Sequence, residues 1–571
     1  MGFKNKIITA LAILLILPII VSATNYYVDK NSIGGQCNDN ENPGTITNPW
    51  CTINKANTML QAGDTVYIRQ GIYSDNDGNA IINPDNSGSA GNPITYTNYQ
   101  DEEVILRSIT DSNLNRGALI NKNYIMIDGL KFDNIDQSQS QMDYFIYIPS
   151  NKHHNIIKNC VMKYLSDNWA SYSDGIIMQE GANYNQILDN VIEYVGKDSD
   201  NSQCNGIRMQ DGAKGSGCHH NLIQGNTVRY AGHAGIQARG YRNIIKDNIV
   251  YNPWNKCLEN TCDTGDTSNQ YNVWDNNVGY GTTTGSGWRQ DLFQNMGTGI
   301  IIRYNRIYTG EGEGFRLYGK TDKPSKRVKI YNNVAYDCGN DEQAGTDTGI
   351  TFNERDADTM DSIDVRNNIF YNNHRDGIRW LENAQSSEHT VTNNHWQADG
   401  NPNFVNPPDD FSIQPDSPAI DAGAWLTTTM SAGSGTNLPI EDASYFIDGF
   451  GIVEGDVIQL EGQSFSARIT NVNYDTNTLT LNRSLTWTNS QGVSLAYSGS
   501  APDIGAYEFN SGETPPPPEP LEGDLNNDTR VDIEDLIIVA SNFGTDDDTA
   551  DTDSNGIVDI FDVVFVATRI I

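Results

Sequence analysis

The segment Ile302-Arg303-Tyr304-Asn305-Arg306-Ile307-Tyr308-Thr309-Gly310-Glu311-Gly312-Glu313-Gly314-Phe315-Arg316-Leu317-Tyr318 decides the fold of this chain. An apolar residue, Ile302, stands three places before an asparagine. A β-branched residue and a tyrosine follow, and a second strand then opens with glycine before an apolar residue. The first half recurs as Ile156/Asn159, Ile187/Asn190, Ile223/Asn226, Ile245/Asn248, Trp274/Asn277, Ile330/Asn333, Val365/Asn368 and Val391/Asn394. Including Asn305, successive asparagines lie 31, 36, 22, 29, 28, 28, 35 and 26 residues apart, which excludes a heptad and places the variable remainder in loops. The second half recurs as Gly175-Ile176, Gly206-Ile207, Gly235-Ile236, Gly349-Ile350 and Gly377-Ile378. Short strands with no helical period between them cannot bury a face alone, but stacked coils can. The fold class read from this pattern is all-β, a right-handed parallel β-helix of about ten coils and ~45–50 Å at ~4.8 Å per coil. Asparagines stacked at the turn would bond amide to amide along its axis.

Outward from this centre, Tyr26 to Tyr73 reads as the N-terminal cap, within a β-helix spanning 24–423. An insertion at 424–500, alternating in Asp456-Val457-Ile458-Gln459-Leu460, reads as a small β-barrel or sandwich. Segment 501–512 closes the rod, and the proline run in 513–522 is a stiff linker. Residues 1–23 carry Lys4, Lys6 and an apolar run ending in Val-Ser-Ala, the pattern of a secretory signal cut after Ala23, with an uncleaved anchor as the alternative. The chain is thus expected to be secreted, extracellular or attached to a cell surface, with no membrane span after signal removal. Eight cysteines in an exported chain favour disulfides, with Cys37/Cys51, Cys204/Cys218 and Cys257/Cys262 close enough to clip loops. Cys160 and Cys338 read as buried thiols. A net charge of −36 over 571 residues excludes nucleic acid as the partner.

The C-terminal 523–571 is a separate module. Asp524, Asn526, Asp528, Asp532 and Asp535 fall at loop positions 1, 3, 5, 9 and 12, and Asp551, Asp553, Asn555, Asp559 and Asp562 repeat the spacing 27 residues later. Calcium needs six to eight oxygens about one point, and this spacing wraps a loop around the ion. Apolar runs at 536–543 and 563–570 read as the exiting helices. The duplicated loop and helix resembles the dockerin type I domain of cellulosomal enzymes. That resemblance implies bound Ca2+ and a cohesin domain as partner, with Ile533, Glu534, Ile560 and Phe561 at the contact positions in place of the common Ser-Thr pairs.

Alternation along the strands turns Arg208, Gln237, Arg316, Thr351 and Arg379 outward, with Gln210, Arg239, Tyr318 and Asn353 two places on. Such a face suits an anionic sugar, because guanidinium binds carboxylate bidentately. The plainer reading makes these solvated strand residues partnered by Glu180, Asp211, Glu354 and Glu382. Gly310 to Lys320 resembles the Gly-x-Gly-x-Gly-Phe-Lys-Leu-Gly strand of a β-helical pectate lyase family, with Arg316 on the position of the lysine that abstracts the proton. The segments 401–405, 417–423 and 502–508 resemble the closing segment of secreted β-helix proteins related to polysaccharide lyases. These resemblances imply β-elimination on a uronate-containing polysaccharide, with Arg316 and Lys320 catalytic and Arg208, Arg239, Tyr318, Arg379 and His233 binding substrate. That family's Asp-Asp-Gly-x-Asp calcium motif has no counterpart upstream of Arg316, where Asp174, Asp263, Asp266 and Asp291 offer carboxylates. Two other readings stay open: a glycoside hydrolase using Glu313 with Glu354, and a non-catalytic polysaccharide-binding or adhesin protein. The histidine pairs 153/154 and 219/220 read as turn packing.

Overall fold

A computed structural model describes residues 23–74, 80–107, 116–133, 142–165, 173–196, 204–210, 216–261, 271–282, 291–339 and 348–509, and in the C-terminal part 525, 533–545, 550, 552 and 557–567. The signal-like 1–22 and the linker lie outside these residues.

Three parallel sheets run the length of a rod. Among the described residues the first sheet has 13 strands, from Asn25–Val28 to Thr390–Thr392. The second has 11, from Ala80–Ile82 to Arg375–Glu382, and the third has 12, from Gly71–Tyr73 to His395–Trp396. Strand order in every sheet follows the chain, so each coil adds one strand to each wall. At ~4.8 Å per coil the rod is about 58 Å long. It exceeds the ten coils expected because the coils of the leading strands Thr65–Ile68, Ile94–Asn98 and Ile125–Asp128 carry Arg69, Tyr99 and Leu130 at the position that later coils give to the ladder asparagine.

The apolar residues three before each asparagine form the core: Ile187, Ile223, Ile245, Trp274, Ile302, Ile330 and Val365 are all buried. The asparagines themselves are buried and laddered. Asn190 Nδ2 donates to Asn226 Oδ1 at 2.9 Å, and the same bond links Asn226 to Asn248, Asn248 to Asn277, Asn277 to Asn305 and Asn305 to Asn333. Asn159 does not belong to this ladder. Its coil is shifted by one, so Cys160 takes the inner position and donates its N–H to Asn190 Oδ1, while Asn159 caps Asp128 at the surface. A second ladder, Asn155, Asn185, Asn221, Asn243 and Asn272, lines the opposite end of the first sheet.

Glycine before the second strand marks a close approach between walls. A Cβ on Gly206 would stand 2.2 Å from Val228 Cγ1, and one on Gly235 2.1 Å from Val250 Cγ1. In the next coil the third-sheet residue in register with those valines is Gly279, and the space it leaves admits Cys257.

The helix Ile53–Met59, capped by Thr52 accepting from the Lys55 N–H, buries Ile53 and Ala56 at the N-terminal end of the core. Cys37 and Cys51 form a disulfide there. Cys204 and Cys218 are not bonded to each other but are separate buried thiols, as are Cys160, Cys257 and Cys338. Cys218 instead sits within reach of the Gln179 and Gln210 carbonyls. Cys262 lies outside the described residues.

The insertion is a six-stranded antiparallel sheet, and a bridge between Thr429 and Ile440 joins its two edge strands into a small barrel. It packs on the outer face of the first sheet, where Leu222, Ile244, Val273, Ile301 and Tyr331 share a core with Tyr445, Phe446 and Phe450. Arg303 forks onto Asp456 at 2.7 and 2.9 Å, and Lys329 reaches Asp442 at 2.7 Å. The closing residues Ile504 and Ala506 cover Val334 and Ile369 on the third sheet.

Candidate functional site

The second sheet's outward face gathers the polar residues. Its register aligns Arg208, Gln237, Glu259, Gln294, Arg316, Thr351 and Arg379 in one row. Three positions before Glu259, Gln294 and Arg316 in the chain stand Lys256, at the start of its strand, and Asp291 and Glu313, two residues ahead of theirs. Glu313 is fully buried, and Asp291, Glu259, Gln237, Gln294, Lys256 and Arg316 are nearly so. Charged groups buried on the outside of a rod are costly unless paired, and such clusters mark functional sites.

The pairing is dense. Lys256 Nζ lies 3.5 Å from Glu259 Oε1, while Gln237 Nε2 donates to Glu259 Oε2 at 2.6 Å. Burial opposes the charge on Glu259, but Lys256 and the neighbouring donors outweigh it and hold this carboxyl down at about 2. Arg316 NH1 donates to Asp291 Oδ2 at 3.0 Å, and its Nε lies 3.6 Å from Glu313 Oε2. Burial disfavours the guanidinium, yet Asp291 and Glu313 more than compensate and raise its pKa, so Arg316 stays charged. Its guanidinium also stands 4.9 Å over the Tyr318 ring. One coil group away, Arg208 NH1 meets Asp174 Oδ2 at 3.3 Å, and burial pushes the Asp174 carboxyl up. His233 is buried against Asn205, with Nδ1 and Oδ1 3.1 Å apart, and burial with the Lys256 charge lowers it to about 4. It is therefore neutral above that pH.

The structure thus places Arg208, Arg316 and Arg379 on one row, with Tyr318 beside Arg316 and Arg239 and His233 on the same coil as Gln237. Lys320 is turned to Asp322 at 3.1 Å and stands apart from the buried cluster. Glu313 and Glu354 do not form a pair: Glu354 is in register with Gly319, six residues beyond Glu313, or ~20 Å along the strand. Glu354 instead accepts the Thr359 and Met360 N–H groups. Arg208 instead meets Asp174, and Arg316 meets Asp291 and Glu313; Asp211, Asp263 and Asp266 lie outside the described residues.

Sequence reading missed Lys256, Glu259, Asp291 as an arginine partner, and Gln294. The glycine signal fails in their coils, because Cys257 and Leu292 take the glycine position. Leu292 fits since it packs over Gly310, whose Cβ would fall 2.5 Å from the leucine. The usable signal was a charged residue two before, and a polar residue one after, a buried Leu258 or Phe293.

The histidine pairs stack on turn tyrosines, His154 on Tyr124 and Tyr184, His219 on Tyr241. Burial lowers the pKa of all four.

In the C-terminal module two helices, Ile533–Ser541 and Ile560–Ala567, start 27 residues apart. The position-12 carboxylates are buried and equivalent: Asp535 Oδ1 accepts the Leu525 N–H and Asp562 Oδ1 the Thr552 N–H, each at 2.8 Å. Asp562 Oδ2 also accepts the Asp559 N–H. The other proposed ligands, Asp524, Asn526, Asp528, Asp532, Asp551, Asp553 and Asn555, lie outside the described residues.

Comparison with known proteins follows the rod. Residues 33–226 match the family described as "Pel9A-like, right handed beta helix region". The uncharacterized protein YwoF of Bacillus subtilis (strain 168) is 29% identical over 124 residues, 21% of this chain and 25% of that protein, so the chain spans about a quarter of its curated relative's length. Among solved structures, pectate lyase Pel9A is 15% identical with a TM-score of 0.44, covering 85% of this chain and 96% of that one. A rhamnogalacturonan lyase is 16% identical with a TM-score of 0.44, covering 68% and 92%. What residues 33–226 share with the matched family is the right-handed parallel β-helix.

Proposed function

We propose that this chain is a secreted polysaccharide lyase acting on a uronate-containing polymer by β-elimination, with a calcium-binding C-terminal module that docks it to a cohesin-bearing partner. The observation that carries the reading is the in-register row Arg208, Gln237, Glu259, Gln294, Arg316, Thr351 and Arg379, an extended face with cations spaced along it in a strongly acidic chain. Arg208 and Arg379 bind uronate carboxylates at outer subsites, with Arg239 and His233 between them. At the reacting sugar Arg316, kept charged by Asp291 and Glu313, neutralises the carboxylate and the enolate-like charge that grows as the C5 proton leaves. A guanidinium so held does not take up a proton. Lys320, four residues beyond Arg316 and held by Asp322 at 3.1 Å, is the residue we assign as proton acceptor, which requires it to leave Asp322 and swing toward the sugar held by Arg316.

Docking is supported by the exposed apolar residues Ile533, Ile537, Ile560, Phe561 and Val564, which repeat between the two helices. Asp535 and Asp562, buried at the loop ends, suit calcium-binding loops, with Asp524, Asn526, Asp528 and Asp532 completing the first site and Asp551, Asp553, Asn555 and Asp559 the second. The Cys37–Cys51 disulfide accords with an oxidising, extracellular location. No helix of the described residues is long and apolar enough to cross a membrane.

The test is a screen against pectate, alginate, glycosaminoglycans and neutral glycans, reading absorbance of the unsaturated product alongside reducing ends. Both signals, abolished in Arg316→Ala and with KM raised in Arg379→Ala, are expected. Reducing ends alone would replace the lyase by a hydrolase; neither signal on any polymer would overturn the enzyme. Chelation should erase the helical signal of the C-terminal module, and helices that survive excess chelator would overturn the calcium assignment.

A further inference from the structure

The family resemblance implies a divalent ion beside the reacting sugar, and the residues of the second sheet do not fit one. Calcium takes six to eight oxygens about one point. Here each described carboxylate on the face already meets a resident cation or amide donor. Glu259 faces Lys256 at 3.5 Å, with Gln237 Nε2 at 2.6 Å and Gln294 Nε2 at 3.4 Å. Asp291 and Glu313 close on Arg316, and Asp174 accepts from Arg208 and from Asn205 Nδ2 at 2.8 Å. Both glutamines turn their NH2 groups, not their oxygens, toward Glu259. The arrangement is built of donors around carboxylates, the reverse of a calcium cage.

We propose that Lys256 and Arg316 are resident cations that take the place of a divalent ion on this face, so that the rod binds anionic sugar without calcium, with Lys256 a specificity-determining residue for the uronate carboxylate. Lys256 and Arg316 stand on strands two coils apart, ~10 Å along the rod, with Lys256 set back a further three residues, ~10 Å, along its strand, so the two cations lie diagonally across the face. The Glu259 carboxylate, fixed by Gln237 and Gln294, holds the Lys256 ammonium at the face as Asp291 and Glu313 hold Arg316. An ion entering here would displace the ammonium paired with Glu259 or the guanidinium paired with Asp291 and Glu313, and Glu259, Asp291 and Asp174 would each lose a hydrogen bond.

The inference rests on the lyase reading only for the identity of the sugar, and its two readouts separate the failures. The first uses no sugar. Calcium is titrated into the full-length protein and into Asp291→Asn and Glu259→Gln, counting bound ions by equilibrium dialysis. The same stoichiometry in all three is expected, since calcium then resides in the C-terminal loops alone. One ion fewer in Asp291→Asn or Glu259→Gln overturns the inference whatever the polymer. The second readout is binding of an oligogalacturonate and an oligoalginate by calorimetry, in EDTA and in calcium. Kd should agree within about twofold between the two conditions, and Lys256→Ala, assayed below its melting temperature because it leaves buried Glu259 without its cation, should weaken binding at least tenfold while circular dichroism shows the rod still folded. Lys256→Arg should restore most of the affinity, which a merely structural lysine would not require. Binding that vanishes in EDTA overturns the proposal. Undiminished binding in Lys256→Ala, or none to either oligomer, removes Lys256 from uronate recognition, and the second outcome also removes the lyase reading while the ion count stands.

Discussion

Replacing Asn305 by alanine tests the axial ladder at its centre. Asn305 Oδ1 accepts the Asn277 N–H and Nδ2, both at 3.0 Å, and its own Nδ2 donates to the Trp274 and Arg303 carbonyls at 2.9 Å and to Asn333 Oδ1 at 3.0 Å. The side chain is fully buried, so water does not replace it. Alanine leaves the Asn277 N–H without its acceptor, at ~1–3 kcal/mol, and removes donors from two carbonyls and a neighbouring amide, at roughly 1 kcal/mol each net. Asn277 Nδ2 keeps the Ile245 carbonyl, which limits the damage. The expected loss is about 4–6 kcal/mol. Asn159→Gly is the matched control, since Asn159 lies at φ 54 on the surface and its side chain bonds Asp128; glycine keeps that backbone and its N–H bond to the Leu188 carbonyl, and the cost should stay within ~0.5 kcal/mol. Equilibrium urea unfolding of the full chain gives both values, and amide hydrogen exchange at Asn277 localises the effect. Equal midpoints for the two variants, or a loss below ~1 kcal/mol in Asn305→Ala, would refute the ladder as the element that fixes coil register.

Two further outcomes follow from the closing segment and the insertion. Glu508 is pushed up to about 8 by burial and then by Asp503, so the stability it contributes is fully present below its unfolded value near 4.5 and is lost as pH rises through about 8. Glu508→Gln should flatten the decline in melting temperature between pH 5 and 9 and stabilise the chain at the alkaline end; an unchanged pH profile would refute the assignment. Asp456→Asn leaves the buried Arg303 guanidinium with Asp275 as its remaining carboxylate, at a cost on the order of 3 kcal/mol. Limited proteolysis should then cut within 424–500 at a rate the parent does not show, and an unchanged digestion pattern would count against the docked insertion.

The apolar-x-x-Asn pattern was legible because it reports a local fact, the burial of one amide per turn against one apolar neighbour. It placed every coil from Asn190 onward and slipped by one at Asn159, where the inner position is held by Cys160. Two adjacent polar residues at a turn look alike in sequence when one faces in and the other out, and only the N–H of Cys160 on Asn190 Oδ1 distinguishes them. The three leading strands Thr65–Ile68, Ile94–Asn98 and Ile125–Asp128 were invisible to the pattern because Arg69, Tyr99 and Leu130 hold their ladder position. The docking of the insertion left a mark that alternation alone does not interpret: Leu222, Ile244, Val273 and Ile301 are apolar on the outer side of strands whose inner residues are also apolar, the signature of a sheet covered on both faces.

Alternation also told which side chains leave the core, so Arg208, Gln237, Arg316, Thr351 and Arg379 were readable one strand at a time. It could not tell which carboxylate meets which arginine, because that depends on register between coils separated by loops of unequal length. The ladders fix that register: with Asn248, Asn277 and Asn305 bonded amide to amide, Lys256, Asp291 and Glu313 are carried to successive positions on the neighbouring wall. A charge of −36 spread over the whole chain hides a face where Arg208, Lys256 and Arg316 nearly balance Asp174, Glu259, Asp291 and Glu313. Composition reports the sum, whereas an anionic sugar meets the local field, and within a Debye length of ~8 Å the resident cations set its sign at each subsite. The same asparagines that stabilise the rod therefore position the charges of the candidate site, so loss of the ladder near Asn305 should misplace Arg316 against Asp291 before it unfolds the coil.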